Sequence, residues 1–320
     1  LGAVIQSDPA LATQILRLVN SAYYGLPQAI GNIDTAIALL GASAVKNIAL
    51  SFTIPNMFKG QKVGRFDFDH FWRRSVVAAV AAELIAKEVR YSEEGVFISA
   101  LLQDIGTAVL FTRRANDYRK VLDRKATTGH PVSAIEKEIF GFDHQEIGSA
   151  LLENWRLPES VYLPIRYHHD VHAAPREIRT LCKILRVSDR ISAGYQGSNN
   201  ASNMREAQRM LWSDFKLDDD QITKLIDAVA DNSTLLLAQF QIDASHMRPF
   251  SQILQEANAE LSRLNLSYEM LLMEYKQANE KARVLALELQ AANEKLREMV
   301  FRDGLTGIYN HNYCQEAIGE

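Results

Sequence analysis

Apolar positions recur at three- and four-residue spacing along most of this chain, and strict alternation is nowhere sustained. The pattern predicts an all-α fold. Asp8-Pro9 supplies an N-cap and a first-turn proline, after which Leu11, Ile15, Leu16, Leu18 and Val19 fall at helical spacing. Thr35 to Leu40 reads as a helix stopped by a left-handed Gly41. A longer helix runs from about Phe68 to Val89, with Trp72, Val76, Ala79, Ala82 and Ala86 along one side, and another from Glu93 to about Arg113 carries Leu101, Leu102 and Ile105. Ser133 with Glu136 reads as a capping box opening a short helix that stops at Gly141. Asp143 with Glu146 repeats the device for a helix closing near Trp155. Ile178 to Ala193 is helical, Gly194 to Asn203 a polar loop, and Asp218 to Phe240 holds the last globular helices.

After Pro249 the period becomes seven. With Leu254 as position a, the a sites are Leu254, Leu261, Tyr268, Tyr275, Ala282, Leu289 and Leu296. The d sites are Ala257, Leu264, Leu271, Ala278, Leu285, Ala292 and Met299. Every one is apolar or aromatic with no skip in register, which predicts a parallel coiled coil over residues 250–300, roughly 70 Å long at 1.5 Å per residue. The alternative is a single amphipathic helix packed on its own domain, but the stripe is narrow for a globular face. The small layers at Ala278, Ala282 and Ala292 mark where a register shift or rotation is easiest.

Composition narrows the class. The chain has 320 residues, 47% hydrophobic and 23% charged, with Gly (16) and Pro (8) scarce, as suits long helices around a real core. A formal net charge of −4 offers no electrostatic footprint for nucleic acid or an anionic membrane. Residues 36–50 superficially resemble a helix-turn-helix, yet add only Lys46, and packing is the better reading. Cys182 and Cys314 lie far apart, suggesting neither disulfide nor zinc cluster, and a reducing cytoplasm is the simplest location. The most hydrophobic stretch, Phe97 to Phe111, is broken by Gln103 and Asp104, so no membrane span is expected. A first residue Leu1 and an ending inside a new motif suggest a piece of a longer protein.

That motif is Asp303-Gly304-Leu305-Thr306-Gly307-Ile308-Tyr309-Asn310, directly after the heptads. It resembles the opening of the GGDEF family of diguanylate cyclases, with His311 where an Arg is usual. The resemblance covers about twenty residues, 301–320. It implies that Asn310 contacts the guanine nucleotide, that Asp303 anchors the domain entrance, and that Mg and GTP serve the complete cyclase domain. The Gly-Gly-Asp/Glu-Glu-Phe signature and its metal-binding carboxylates are absent, so this chain is not expected to make cyclic di-GMP.

A second set of motifs occurs in order over residues 1–240. It comprises Asp8-Pro9-Ala10-Leu11, Leu18-Val19-Asn20-Ser21-Ala22-Tyr23-Tyr24-Gly25, Ala36-Ile37-Ala38-Leu39-Leu40-Gly41, Phe71-Trp72-Arg73-Arg74-Ser75 and Ala100-Leu101-Leu102-Gln103-Asp104-Ile105-Gly106. Asp143-His144-Gln145-Glu146-Ile147-Gly148, Trp155-Arg156-Leu157-Pro158 and His168-His169 complete it. It resembles the HDOD domain, a relative of the HD phosphohydrolases. The resemblance implies two helical lobes, about 1–60 and 61–245.

In an HD hydrolase a His, a His-Asp pair and a distant Asp hold a metal that activates water. Here those places read Arg74, Gln103-Asp104 and Asp189. A guanidinium cannot ligate a metal and an amide is a poor substitute for imidazole, so no hydrolytic activity and no metal are expected. His144, His168 and His169 match extra ligands of two-metal relatives and, with Asp104 and Asp189, are the remaining metal candidates. Otherwise they form a polar pocket, with Arg74 bridging Asp104 and Asp189 in the vacated metal position.

The reading is therefore a sensory and transmitting module. An HDOD domain that binds an unknown ligand or regulatory protein biases a homodimeric coiled coil, and through it a pair of cyclase domains. The alternatives are a metal-dependent phosphohydrolase and a passive dimerisation scaffold.

Overall fold

The structure is a computed structural model that describes residues 1–58, 67–196, 200–244, 247 and 249–319. It divides into two compact units, Leu1–Leu254 and Gln255–Glu320. The described residues are helices, turns and connections with no strand, and a lone antiparallel bridge joins Arg302 and Tyr309. The all-α expectation holds.

In the first unit, α1 (Gly2–Gln6), α2 (Pro9–Val19), α3 (Ile33–Leu40) and α4 (Ala42–Phe58) pack on one another. Asp8 caps α2 as its spacing predicts, its carboxylate accepting from Ala10 N and Leu11 N at 3.0 Å. Gly41 has the expected positive φ of 87°, although its ψ of 155° makes it extended rather than left-handed helical. Val45 and Ile48 of α4 are buried, which accounts for the apparent helix-turn-helix as packing. The expected lobe boundary near 60 and the domain end at 245 lie outside the described residues. One continuous hydrophobic cluster nevertheless runs from Ile5 through Ile85 and Leu185 to Phe250 and Ile253, so the two expected lobes share a core.

At the centre stands α5 (Phe68–Glu88), with a solid run of small and branched residues, Val76 to Ala82, buried on every face. The predicted helix from Glu93 is two helices, α6 (Val96–Leu102) and α7 (Ile105–Arg113), broken at Gln103–Asp104. It opens behind Gly95 at φ 95° rather than at Glu93. The window Val96–Arg113 is long and apolar enough to cross a membrane by composition, but 67% of it is buried core.

Then follow α8 (Ala115–Thr128), α9 (Val132–Phe140), α10 (His144–Asn154) and α11 (Glu159–Arg166). The unit continues with α12 (Arg179–Gln196), α13 (Asn200–Phe215) and α14 (Asp219–Gln239). Helix covers 194–196 and 200–203 where a polar loop was expected, because Met204 and Ala207 give α13 a buried face. α5 packs against α6, α12 and α14.

The second unit contains most of α15 (Phe250–Phe301), 52 residues without a break and about 78 Å long. The segment beyond it closes on itself. Asp303 Oδ1 accepts from Leu305 N, Thr306 N and Thr306 Oγ1, and α16 (His311–Gly319) follows.

Candidate functional site

The α6–α7 break sets the site. Asp104 sits at the N-cap position of α7 but makes no capping bond with its side chain, which leaves its carboxylate available to the pocket. α10 reaches it because two glycines line the crossing. A Cβ on Gly106 would stand 2.0 Å from the His144 carbonyl, and one on Gly148 would stand 3.2 Å from Gly106 N. The predicted Asp143/Glu146 capping box then opens α10, so His144, its first residue, is fixed beside Asp104.

His144 is buried and doubly tied to Glu136 of α9. Its ring Nδ1 lies 2.6 Å and its backbone N 2.9 Å from Glu136 Oε2. The Tyr118 hydroxyl donates to the other oxygen, Oε1, at 2.8 Å. Glu136 therefore turns inward instead of forming the predicted capping box with Ser133; α9 opens at Pro131 without a side-chain cap.

Two more imidazoles arrive just after α11. His168 Nδ1 lies 2.7 Å from the Ile165 carbonyl, and His169 N donates to Gln145 Oε1 at 3.0 Å. Their free edges converge. His144 Nε2 lies 3.6 Å and His168 Nε2 3.8 Å from Asp104 Oδ1, and His169 Nε2 is 3.1 Å from His144 Nε2. One donor atom from each of Asp104, His144, His168 and His169 falls within 4.8 Å of all the others.

The electrostatics divide the three rings. Burial opposes a charge on His144, but Glu136, Asp104 and Asp143 outweigh it and raise its pKa to about 9. Burial lowers that of His168. It lowers that of His169 well below the ordinary value, with His168 and His144 adding to the effect. With Nδ1–H donating to Ile165, a neutral His168 presents a bare lone pair at Nε2, and that buried atom has no hydrogen-bond partner among the described residues. A lone pair facing a carboxylate is a mismatch that a cation resolves. The set suits a transition metal held by three imidazoles and a carboxylate, with Glu136 and the Ile165 carbonyl orienting two of the rings.

Arg74 and Asp189 stand apart from this group. Arg74 Nη2 pairs directly with Asp189 of α12, and its Nε donates to Ser192 Oγ at 3.4 Å. The predicted bridge is thus made to Asp189, while Asp104, with no direct bond to the guanidinium among the described residues, acts on Arg74 through its field. Burial would raise the Asp189 pKa, but Arg74 and the nearby His169 and His168 hold it well below the carboxylate range. Burial likewise opposes the charge on Arg74, and Asp189 and Asp104 more than compensate. Gln103 is buried, its Oε1 without a partner among the described residues. Four of the five metal candidates therefore converge and Asp189 does not. The expectation that Arg74 and Gln103 dismantle the donor set is not supported, because the four gather without either.

Asp303 and Asn310 belong to the second unit, where both side chains are spent locally. Asn310 Nδ2 donates to the Val300 carbonyl at 2.6 Å while its Oδ1 accepts from Asn312 N and Tyr313 N.

Comparison with known proteins agrees with this architecture. The sequence pattern of the HDOD domain matches residues 1–171, just over half the chain. An uncharacterized protein of Treponema pallidum (strain Nichols) is 27% identical over 180 residues, 56% of this chain and 35% of the relative. The chain thus spans about a third of that relative's length. An HDOD domain protein of unknown function from Geobacter sulfurreducens superposes with a TM-score of 0.59 at 24% identity, covering 76% of this chain and 84% of its own. A protein of Shewanella amazonensis SB2B, provisionally named a phosphohydrolase, gives 0.60 at 21% identity, covering 75% and 86%. A provisionally named signal transduction protein of Marinobacter aquaeolei VT8 gives 0.56 at 21%, covering 75% and 54%. These identities speak for the fold alone. Ordered motifs, helical architecture and the match over residues 1–171 agree: the chain belongs to the HDOD domain family.

Proposed function

We propose that this chain is the sensory and transmitting part of a cytoplasmic signal-transduction protein. Its HDOD domain receives a ligand or regulatory protein. Helix α15 pairs in parallel with that of a second copy and passes the state to a diguanylate cyclase domain that residues 301–320 would open. Mg and GTP belong to that output domain. The observation that carries the reading is the bare heptad stripe. Leu264, Leu271, Leu285 and Leu289 are each 60–65% exposed on an unbroken helix. Fully burying a Leu is worth about 1.5–3 kcal/mol, and several layers together exceed the cost of bringing two chains together. The a and d sites from Leu261 onward all lie on this one unbroken helix; the side chains of Leu254 and Ala257 lie outside the described residues.

The test is the mass of the chain in solution by light scattering across a concentration series. A dimer that Leu271→Glu with Leu285→Glu converts to a folded monomer supports the reading, and a wild-type monomer at high concentration overturns it. In a protein carrying the output domain, cyclic di-GMP yield should change when the same layers are disrupted.

The four-donor cluster supports a second reading, a metal-dependent phosphohydrolase. A bound metal would supply Lewis-acid activation of water, with Asp104, His144, His168 and His169 as its holders. Metal analysis after loading, followed by turnover of bis(p-nitrophenyl) phosphate, tests it. Loaded protein without turnover would leave the cluster a sensing or structural site.

A further inference from the structure

Away from the histidine pocket, a cleft of about 370 Å³ opens where α4 faces the end of α5 and the α5–α6 connection. That is the size of a small-molecule site. Its polar groups are unevenly satisfied. The Tyr23 hydroxyl donates to Glu83, and the Tyr91 hydroxyl donates to Glu93 at 2.8 Å, so a phenol steadies each carboxylate and leaves further lone pairs free. Lys87 stands one helical turn after Glu83 on α5. Its side-chain ammonium makes no hydrogen bond or ion pair among the described residues and meets Glu83 only through its field. The side-chain amide of Asn47 on α4 is half-buried in the same cleft, also without a partner among them.

A lysine in the last turn of α5 complements the helix dipole, which accounts for Lys87 by itself. It does not account for an idle amide beside it, opposite two steadied carboxylates. A simple cation bound here would face Lys87, and a simple anion would face Glu83 and Glu93. A ligand carrying both charges satisfies both sides. Ile48 and Phe97 give the cleft apolar walls for a side chain.

We propose that this cleft binds an amino-acid-sized zwitterion. Its carboxylate is taken by Lys87 and Asn47, its ammonium by Glu83 and Glu93, and its apolar side chain by Ile48 and Phe97. The proposal is independent of the histidine cluster and of any output domain, since it concerns binding to the chain as it stands.

The experiment is a thermal-shift screen of the protein amino acids against the whole chain, followed by calorimetric titration of those that stabilise it. For each, the matching amine without the carboxylate and the N-acetylated acid are titrated in parallel. An aliphatic or aromatic amino acid should bind, with both truncated forms weaker by about tenfold or more, as loss of a charge-assisted hydrogen bond implies. Lys87→Gln and Glu93→Gln change exposed side chains, so the variants should fold, and each should weaken binding by a similar factor. Absence of any binding at millimolar concentration overturns the proposal. Equal affinity for amine or acetylated acid does so too, because the cleft would then read one charge only. Variants that bind like wild type would place the ligand elsewhere and equally refute it.

Discussion

Glu136 Oε2 accepts two hydrogen bonds from one residue, His144: from its backbone N at 2.9 Å and from its ring Nδ1 at 2.6 Å. A buried carboxylate thereby fixes the orientation of an imidazole and favours its charged form. In Glu136→Gln the amide oxygen can still accept, but the charge is gone, so the His144 pKa should fall from about 9 towards its ordinary value of about 6.5, as read by NMR titration. A His pKa raised on folding contributes stability that is complete below about pH 6.5 and is lost as the pH rises through about 9. Unfolding free energies of wild type and variant should therefore differ most at pH 6, by about 1–3 kcal/mol, and converge above pH 9. A difference that grows with pH would refute this account of the pair.

Arg74→Met should leave Asp189 buried beside α5 without its cation. Removing one partner of a fully buried pair costs about 3–5 kcal/mol, but the Arg74 side chain is 37% exposed and solvent screens part of that, so about 2 kcal/mol is expected. Asp189 is a carboxylate whose pKa is lowered on folding, so its contribution is present above about pH 4 and lost as the pH falls towards the folded value. Wild type and variant should therefore differ most in stability near neutral pH and draw together as the pH falls below about 4, because protonation relieves a buried Asp189 that has lost its cation, as read by denaturant unfolding followed by circular dichroism. Asp189→Asn combined with Arg74→Met should cost less than the two singles added, since the groups are in contact.

Gly106→Ala tests the crossing that assembles the pocket. The added Cβ would lie 2.0 Å from the His144 carbonyl, a backbone atom that cannot swing aside, so α7 and α10 must part. Overpacking of this kind costs about 1–3 kcal/mol. The variant should lower the melting temperature and separate His144 from Asp104, whereas Gly148→Ala, with a nearest contact of 3.2 Å, should be milder. Equal effects would mean that the crossing is looser than the geometry shows.

Much of this was legible in the chain because it depends on local chemistry. Asp8 and Asp143 cap helices by hydrogen bonding that operates within a turn, and each stands where its spacing predicts, while Gly41 ends its helix at the expected place with a positive φ but an extended ψ. The pocket was partly legible, since Asp104, His144, His168 and His169 sit in recognisable motifs and do converge. Glu136 was misread because an acidic residue three places after Ser133 has the local signature of a capping box. What overrides that signature is a tertiary contact with Tyr118 and His144. Its neighbour Ile135, buried on the same helix, was the available hint. The break at Gln103–Asp104 was likewise hidden, because Leu101, Leu102 and Ile105 keep helical spacing across it.

His168 Nε2 is the most informative atom for the cation question, being buried, unpartnered and 3.8 Å from Asp104 Oδ1. If the four donors hold a transition metal, adding one at about 100 times its dissociation constant should stabilise the chain by about 2.7 kcal/mol. For a domain of this size that is a rise of roughly 5–10 °C in melting temperature. The gain should weaken in acid, because metal must displace the proton that Glu136 and Asp104 favour on His144. His168→Ala should abolish the shift. Because the fully buried ring also bonds the Ile165 carbonyl through Nδ1, the metal-free variant should itself be less stable, so the shift is read against its own metal-free melting temperature. A metal-induced shift of the same size in wild type and His168→Ala would place the ion outside this pocket, and with it would go the structural support for the phosphohydrolase reading.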